Sequence, residues 1–210
     1  ATRAFPLFML RLLSAATWSE LASALAGNAA QLATWKPLLT ASAAAWGSLP
    51  AERLWLFRCV RLPGADLSEH KELLDRLSAG WPVTWGMAVH GSLDHHVAMA
   101  GVDRGESGVA IVFKIHAVTA RKINGFSWMA GEDGESSVLK EVLLAPGTLF
   151  ESTGLYECTD QALRKGVPLE TTRRGSSFSV VDESKLVQLP PDQVLKRRQI
   201  MVCLEEVVQT

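Results

Sequence analysis

The run from Ser137 to Phe150, SVLKEVLLAPGTLF, constrains this chain more than any other stretch. Val138, Val142 and Leu144 are bulky and apolar, and Pro146-Gly147 is strong turn chemistry. The run therefore reads as a strand, a tight turn and the start of a second strand. One carboxylate, Glu141, stands in its middle. Side chains alternate faces along a strand, so Glu141 shares a face with Leu139 and Leu143. A carboxylate on such a face needs a solvated cleft or a partner, because burying it alone is costly.

A second run poses the complementary question. Residues 53–62, RLWLFRCVRL, read as a strand that is apolar on both faces. Leu54, Leu56, Val60 and Leu62 share one face with Arg58 among them, and Trp55, Phe57 and Cys59 form the other. A guanidinium is always charged, so Arg58 needs a counterpart. Its planar fork suits either a carboxylate of the same chain or a bound phosphate.

The whole chain sets broad bounds. At 210 residues, with 48% apolar and 20% charged residues, it has enough material for one large domain or a domain with an appendage. Net charge is −1, which gives no global basic footprint for nucleic acid. Cys59, Cys158 and Cys203 are far apart and odd in number, which fits neither a metal framework nor a complete disulfide framework. A reducing working compartment follows as an expectation. No stretch reaches the uninterrupted apolar length of a membrane span.

Along the chain, residues 5–49 read as helical, with a break at Gly27-Asn28 and a second helix from Ala29 to Trp46 that Pro37 kinks. This lead-in is either a helical layer on the core or a membrane-active or partner-binding segment. Ser68 to Leu77 reads as a helix with Ser68 as N-cap, closed by Ala79-Gly80. Trp81 to Val89 is strand-like around Gly86. Ser92 then caps a short helix through Ala100, with Asp94 in its first turn. His95 and His96 are adjacent on that helix and are expected to point apart, and no cluster completes a ligand set with His90, so no metal is expected. Val109 to Ala117 is a buried strand, and Gln199 to Val208 a closing one. Residues 129–137 form an acidic loop. Residues 151–198 look like an insertion, locally basic through Lys165, Arg173, Arg174, Lys196, Arg197 and Arg198. Those charges read as either a solvated surface or an RNA-binding or acidic-partner face.

These residues resemble the mono-ADP-ribosyltransferases, the arginine–serine–glutamate class of NAD-dependent toxins. Glu141-Val142-Leu143-Leu144-Ala145-Pro146-Gly147-Thr148-Leu149-Phe150 is similar to that family's catalytic strand, and Phe57-Arg58-Cys59 to its aromatic-Arg-Gly strand, with Cys59 where Gly is usual. The Ser-Thr-Ser triplet is replaced by His90-Gly91-Ser92, of which only Ser92 is kept. Leu139 stands where the family's acceptor-choosing Glu or Gln stands, and Glu135 lies upstream in the same loop.

The resemblance implies an α+β fold, a split β-sandwich with flanking helices and an N-terminal helical layer. Residues 1–49 would form that layer and 50–210 the catalytic domain, with the insertion at about 151–198. It implies NAD as substrate, held by Arg58, Cys59, His90, Gly91 and Ser92, with Glu141 as the catalytic carboxylate. The acceptor would be a protein or a structured RNA, chosen at Glu135 and Leu139. An NAD glycohydrolase and an inactive binding module are the alternatives. A bacterial effector, secreted or delivered to act in a target-cell cytoplasm and restrained by an immunity protein, completes the expectation.

Overall fold

The computed structural model describes residues 29–85, 88–99, 108–123, 140–164 and 186–208. Their core is a seven-stranded sheet: β1 (Glu52–Leu62), β2 (Pro82–Thr84), β3 (Val89–Ser92), β4 (Val109–Lys122), β5 (Glu141–Leu144), β6 (Leu149–Glu157) and β7 (Gln199–Glu206). Five α-helices flank it: α1 (Ala29–Ser48), α2 (Lys71–Ser78), α3 (His95–Met99), α4 (Asp160–Arg164) and α5 (Pro191–Val194).

The apolar doublets of β1, β4 and β7 explain the layering. Leu56, Ile111, Ile115, Ile200, Val202 and Leu204 face one buried cluster, shared with Leu74 and Leu77 of α2 and Val194 of α5. Phe57, Val112, Met201 and Cys203 face a second cluster, closed by Ala162 and Leu163 of α4. Strands buried on both faces read as near-continuous apolar runs, as these do.

The sheet is split, and β4 carries the split. Most of β4 pairs antiparallel with β1, from Leu62↔Val109 to Glu52↔Ala120, and parallel with β7, from Ala110↔Gln199 to His116↔Glu205. Its last two residues pair instead with β5, Arg121↔Leu143 and Lys122↔Val142. Strand β3 pairs with β5 along its whole length but meets β1 only at Phe57↔Ser92. One half-sheet thus holds β1, β4, β7, β6 and β2, the other β3, β5 and the end of β4. Where β4 crosses between them, the Glu206 carboxylate accepts the backbone N–H groups of Val118 and Thr119 at 2.6 and 2.9 Å.

The Pro146-Gly147 turn forms as its chemistry dictates. Gly147 has φ +73, Thr148 N–H donates to Ala145 O at 3.3 Å, and the residue before the glycine is the φ-fixed proline. The turn joins β5 to β6 without pairing them, because β6 lies in the other half-sheet beside β2 and β7.

Several local expectations need correction. Asp66, not Ser68, caps the helical segment at 67–78: its Oδ1 accepts Ser68 N–H at 2.9 Å, and a 3-10 turn (Leu67–His70) precedes α2. Trp81–Val89 is not one strand, since β2 and β3 pair in different half-sheets. Of the segment expected as an insertion, Glu151–Glu157 belongs to β6 and pairs with β7. The Gly27-Asn28 break and residues 129–137 lie outside the described residues. Helix α1 contains Pro37 and docks its C-terminal end on the second half-sheet, where Ala45 packs with Ile123 and Leu143.

Candidate active site

Arg58, His90 and Glu141 come from three strands and converge at the split. Arg58 is on β1, and its Nη1 donates to the backbone carbonyl of His90 on β3 at 3.0 Å. The Nδ1 of His90 lies 3.0 Å from Oε1 of Glu141 on β5. Register explains the second contact. Ser92 is directly opposite Glu141 and His90 opposite Leu143, so His90 and Glu141 are diagonal neighbours on one face. Backbone bonds hold the carboxylate's strand on both sides. Ile123 N–H donates to Glu141 O at 3.1 Å and Leu93 N–H to Lys140 O at 3.0 Å. Lys140 itself is left-handed, with φ +41.

Burial makes these polar groups consequential. Burial draws the Arg58 guanidinium below its ordinary pKa, with the adjacent Cys59 acting in the opposite sense. Its Nε is buried and has no hydrogen-bond partner among the described residues, and Glu141 Oε2 is in the same state. An unmet buried donor and acceptor each cost about 1–3 kcal/mol. Such groups facing one hollow are what a ligand would satisfy. The carboxylate partner that β1 suggested for Arg58 is not found among the described residues. A carbonyl takes its place.

A cleft of about 250 Å3 opens here. It is lined by all six residues that the sequence nominated within the described segments: Arg58, Cys59, His90, Gly91, Ser92 and Glu141. Leu139 and Glu135 lie outside those segments. Phe57 and, from α3, Val97 and Ala98 complete the wall, and these three were missed. Phe57 was marked only as the aromatic of the aromatic-Arg-Gly strand, and Val97 and Ala98 as part of the short helix after Ser92.

Gly91 is closely packed against β1. A Cβ at this position would lie 2.3 Å from Leu56 Cδ1 and 3.0 Å from Phe57 O. Ser92, expected as a helix cap, accepts Asp94 N–H on its Oγ at 3.0 Å, and Asp94 Oδ1 in turn accepts His96 N–H at 2.9 Å. The α3 cap is thus a relay of two residues.

The rings of His95 and His96 do not diverge as expected. Their centroids are 4.0 Å apart, and Asp94, His95 and His96 bring their ligand atoms within 4.8 Å of one another. Arg164 Nη2 lies 3.3 Å from His96 Nε2 and 3.9 Å from Asp160 Oδ2. In the basic stretch near the C-terminus, Arg197 pairs with Glu157 at 2.9 Å.

No family profile and no curated protein sequence matches the chain. Solved structures do. The Vis ADP-ribosyltransferase of Vibrio splendidus in complex with agmatine superimposes with a TM-score of 0.60 at 16% identity, over 98% of this chain and 75% of that one. The enzymatic component C2-I of the Clostridium botulinum C2 toxin gives 0.56 at 13% identity, over 97% and 44%. Exoenzyme S of Pseudomonas aeruginosa, bound to carba-NAD and human 14-3-3 protein beta, gives 0.53 at 14% identity, over 96% and 73%. The chain has the fold of the bacterial mono-ADP-ribosyltransferase toxins, a mixed helix and strand architecture around a split sheet. No helix among the described residues is long and apolar enough to cross a membrane.

Proposed function

We propose that this protein is an NAD-dependent mono-ADP-ribosyltransferase of the toxin type, acting on a macromolecule. The observation that carries the reading is the convergence of Arg58 and Glu141 on one cleft, linked through His90, within this fold. NAD fits the donor set: the unmet Arg58 Nε suits a phosphate or ribose oxygen, and the unmet Glu141 Oε2 a ribose hydroxyl. When bound, NAD supplies an ADP-ribosyl group with nicotinamide as its leaving group. Glu141 holds negative charge where positive charge develops as that bond breaks, which lowers the barrier without a proton transfer. Arg58 fixes the orientation of the dinucleotide. Phe57, Val97 and Ala98 add apolar residues to the cleft wall.

The acceptor is a protein or a structured RNA, and an immunity protein covering the cleft is the expected restraint on an effector delivered into a target cell. Incubation with labelled NAD and a cell lysate tests the reading. Label transferred to a macromolecule, lost in E141Q, supports it. Release of free ADP-ribose alone makes water the acceptor and the protein a glycohydrolase. No nicotinamide release at all leaves only a binding module.

A further inference from the structure

We propose that the junction of α3 and α4 binds one divalent transition-metal ion of the zinc type, with His95 and His96 as its nitrogen ligands and Asp94 and Asp160 as its oxygen ligands. This site is separate from the reading of Glu141 and does not depend on it.

The first observation is a convergence of donors. The ligand atoms of Asp94, His95 and His96 lie within 4.8 Å of one another, although the two histidines are adjacent in sequence. Asp160, the first residue of α4, brings a further carboxylate: its Oδ1 lies 3.8 Å from His95 Nε2. Two imidazoles and two carboxylates make a mixed nitrogen and oxygen set, which suits zinc better than magnesium or calcium. Bonds of about 2.1 Å at tetrahedral angles put ligand atoms about 3.4 Å apart, so the three neighbouring donors draw in by about 1.5 Å at most.

The second observation is independent of that spacing. His95 is only 7% exposed, and its Nε2 is buried with no hydrogen-bond partner among the described residues. A buried ring nitrogen left unmet is costly, and a bound ion satisfies it. The ring packs edge-on against Phe57, with centroids 5.6 Å apart, so the core rather than solvent sets its direction.

The groups around these donors leave room for an ion. Asp94 gives Oδ1 to His96 N–H at 2.9 Å, which fixes the carboxylate and leaves its second oxygen for a metal. Arg164 is the competitor, with Nη2 3.3 Å from His96 Nε2 and 3.9 Å from Asp160 Oδ2. Its side chain is 57% exposed and can withdraw into solvent. An ion bonded to His96 and Asp160 displaces it.

Calorimetric titration of the full chain with Zn2+, after treatment with EDTA, tests the proposal. One equivalent is expected to bind at neutral pH, with Mg2+ giving no comparable signal. H96Q and D160N change exposed side chains, and circular dichroism checks that both remain folded. Each is expected to weaken Zn2+ binding by about tenfold or more, the least expected when a metal site loses a partner. R164Q is expected to bind Zn2+ more tightly, because the competitor is gone. The thermal midpoint should rise with added Zn2+ in wild type and stay in place in the H96Q/D160N double variant.

His95 is buried, so its ligation is read without substitution. Imidazole 15N signals of both His95 and His96 should move on adding one equivalent of Zn2+. No uptake of Zn2+, uptake undiminished in H96Q or D160N, R164Q binding no tighter than wild type, or unmoved His95 nitrogens overturns the proposal. None of these readings requires the protein to turn over NAD.

Discussion

Glu206 holds Thr119 twice: Oε2 accepts its backbone N–H at 2.9 Å, and Oε1 its hydroxyl at 2.5 Å. The same carboxylate takes Val118 N–H, so one side chain of β7 closes the gap where β4 leaves β7 for β5. E206Q should lower unfolding free energy by about 2–3 kcal/mol, because charge-assisted bonds weaken and one acceptor oxygen becomes a donor facing N–H groups. Urea denaturation checks this. In a double-mutant cycle with T119V the two changes should be non-additive by about 0.5 kcal/mol or more.

His95 makes stability depend on pH. Burial, reinforced by neighbouring His96, holds its imidazole below the ordinary histidine value. The folded state therefore resists a proton that the unfolded chain accepts. Stability is full above the unfolded value of about 6.5 and is lost as pH falls below it, until the folded ring also protonates. Urea midpoints between pH 8 and 5 should decline in wild type and decline less in H95Q. A slope unchanged by the substitution would assign the loss to other groups.

E141Q should separate function from stability. Turnover should drop about 100- to 1,000-fold, the scale of losing one electrostatic stabiliser. The urea midpoint should be equal or higher, since Oε2 is a buried charged atom with no partner among the described residues. A large drop in stability would make Glu141 a structural residue.

Lys114 should behave in the opposite way. It is 2% exposed, donates to Ala162 O at 2.8 Å and stands 5.3 Å from the Trp55 ring centre. K114M keeps the bulk and removes the donor to Ala162 O from a buried position. Destabilisation of about 1–3 kcal/mol is expected, read by thermal or urea unfolding, with nicotinamide release retained in the folded protein.

Features set by neighbouring residues were legible in the sequence. The two-faced apolar pattern marks β1, with Arg58 inside it, to within a residue. The Pro146-Gly147 signal fixes the end of β5 and the start of β6 because turn chemistry is local. What depends on distant pairing was legible only through the resemblance, which put His90 where the family's first Ser braces the catalytic Glu. Pattern alone does not join two residues 51 apart, and it is the β3–β5 register that brings them together. The close packing at Gly91 comes from Leu56 on another strand. Asp66 and Ser68 are both competent caps, and the choice between them rests on where the chain turns out of β1, which composition does not record.

The crowding around Gly91 also bears on what that position accepts. A Cβ there would lie 2.3 Å from Leu56 Cδ1, and Leu56 is fully buried in the core. A side chain gained at 91 must therefore be accommodated by a shift of the neighbouring strand's leucine, so the two positions are expected to tolerate change only together.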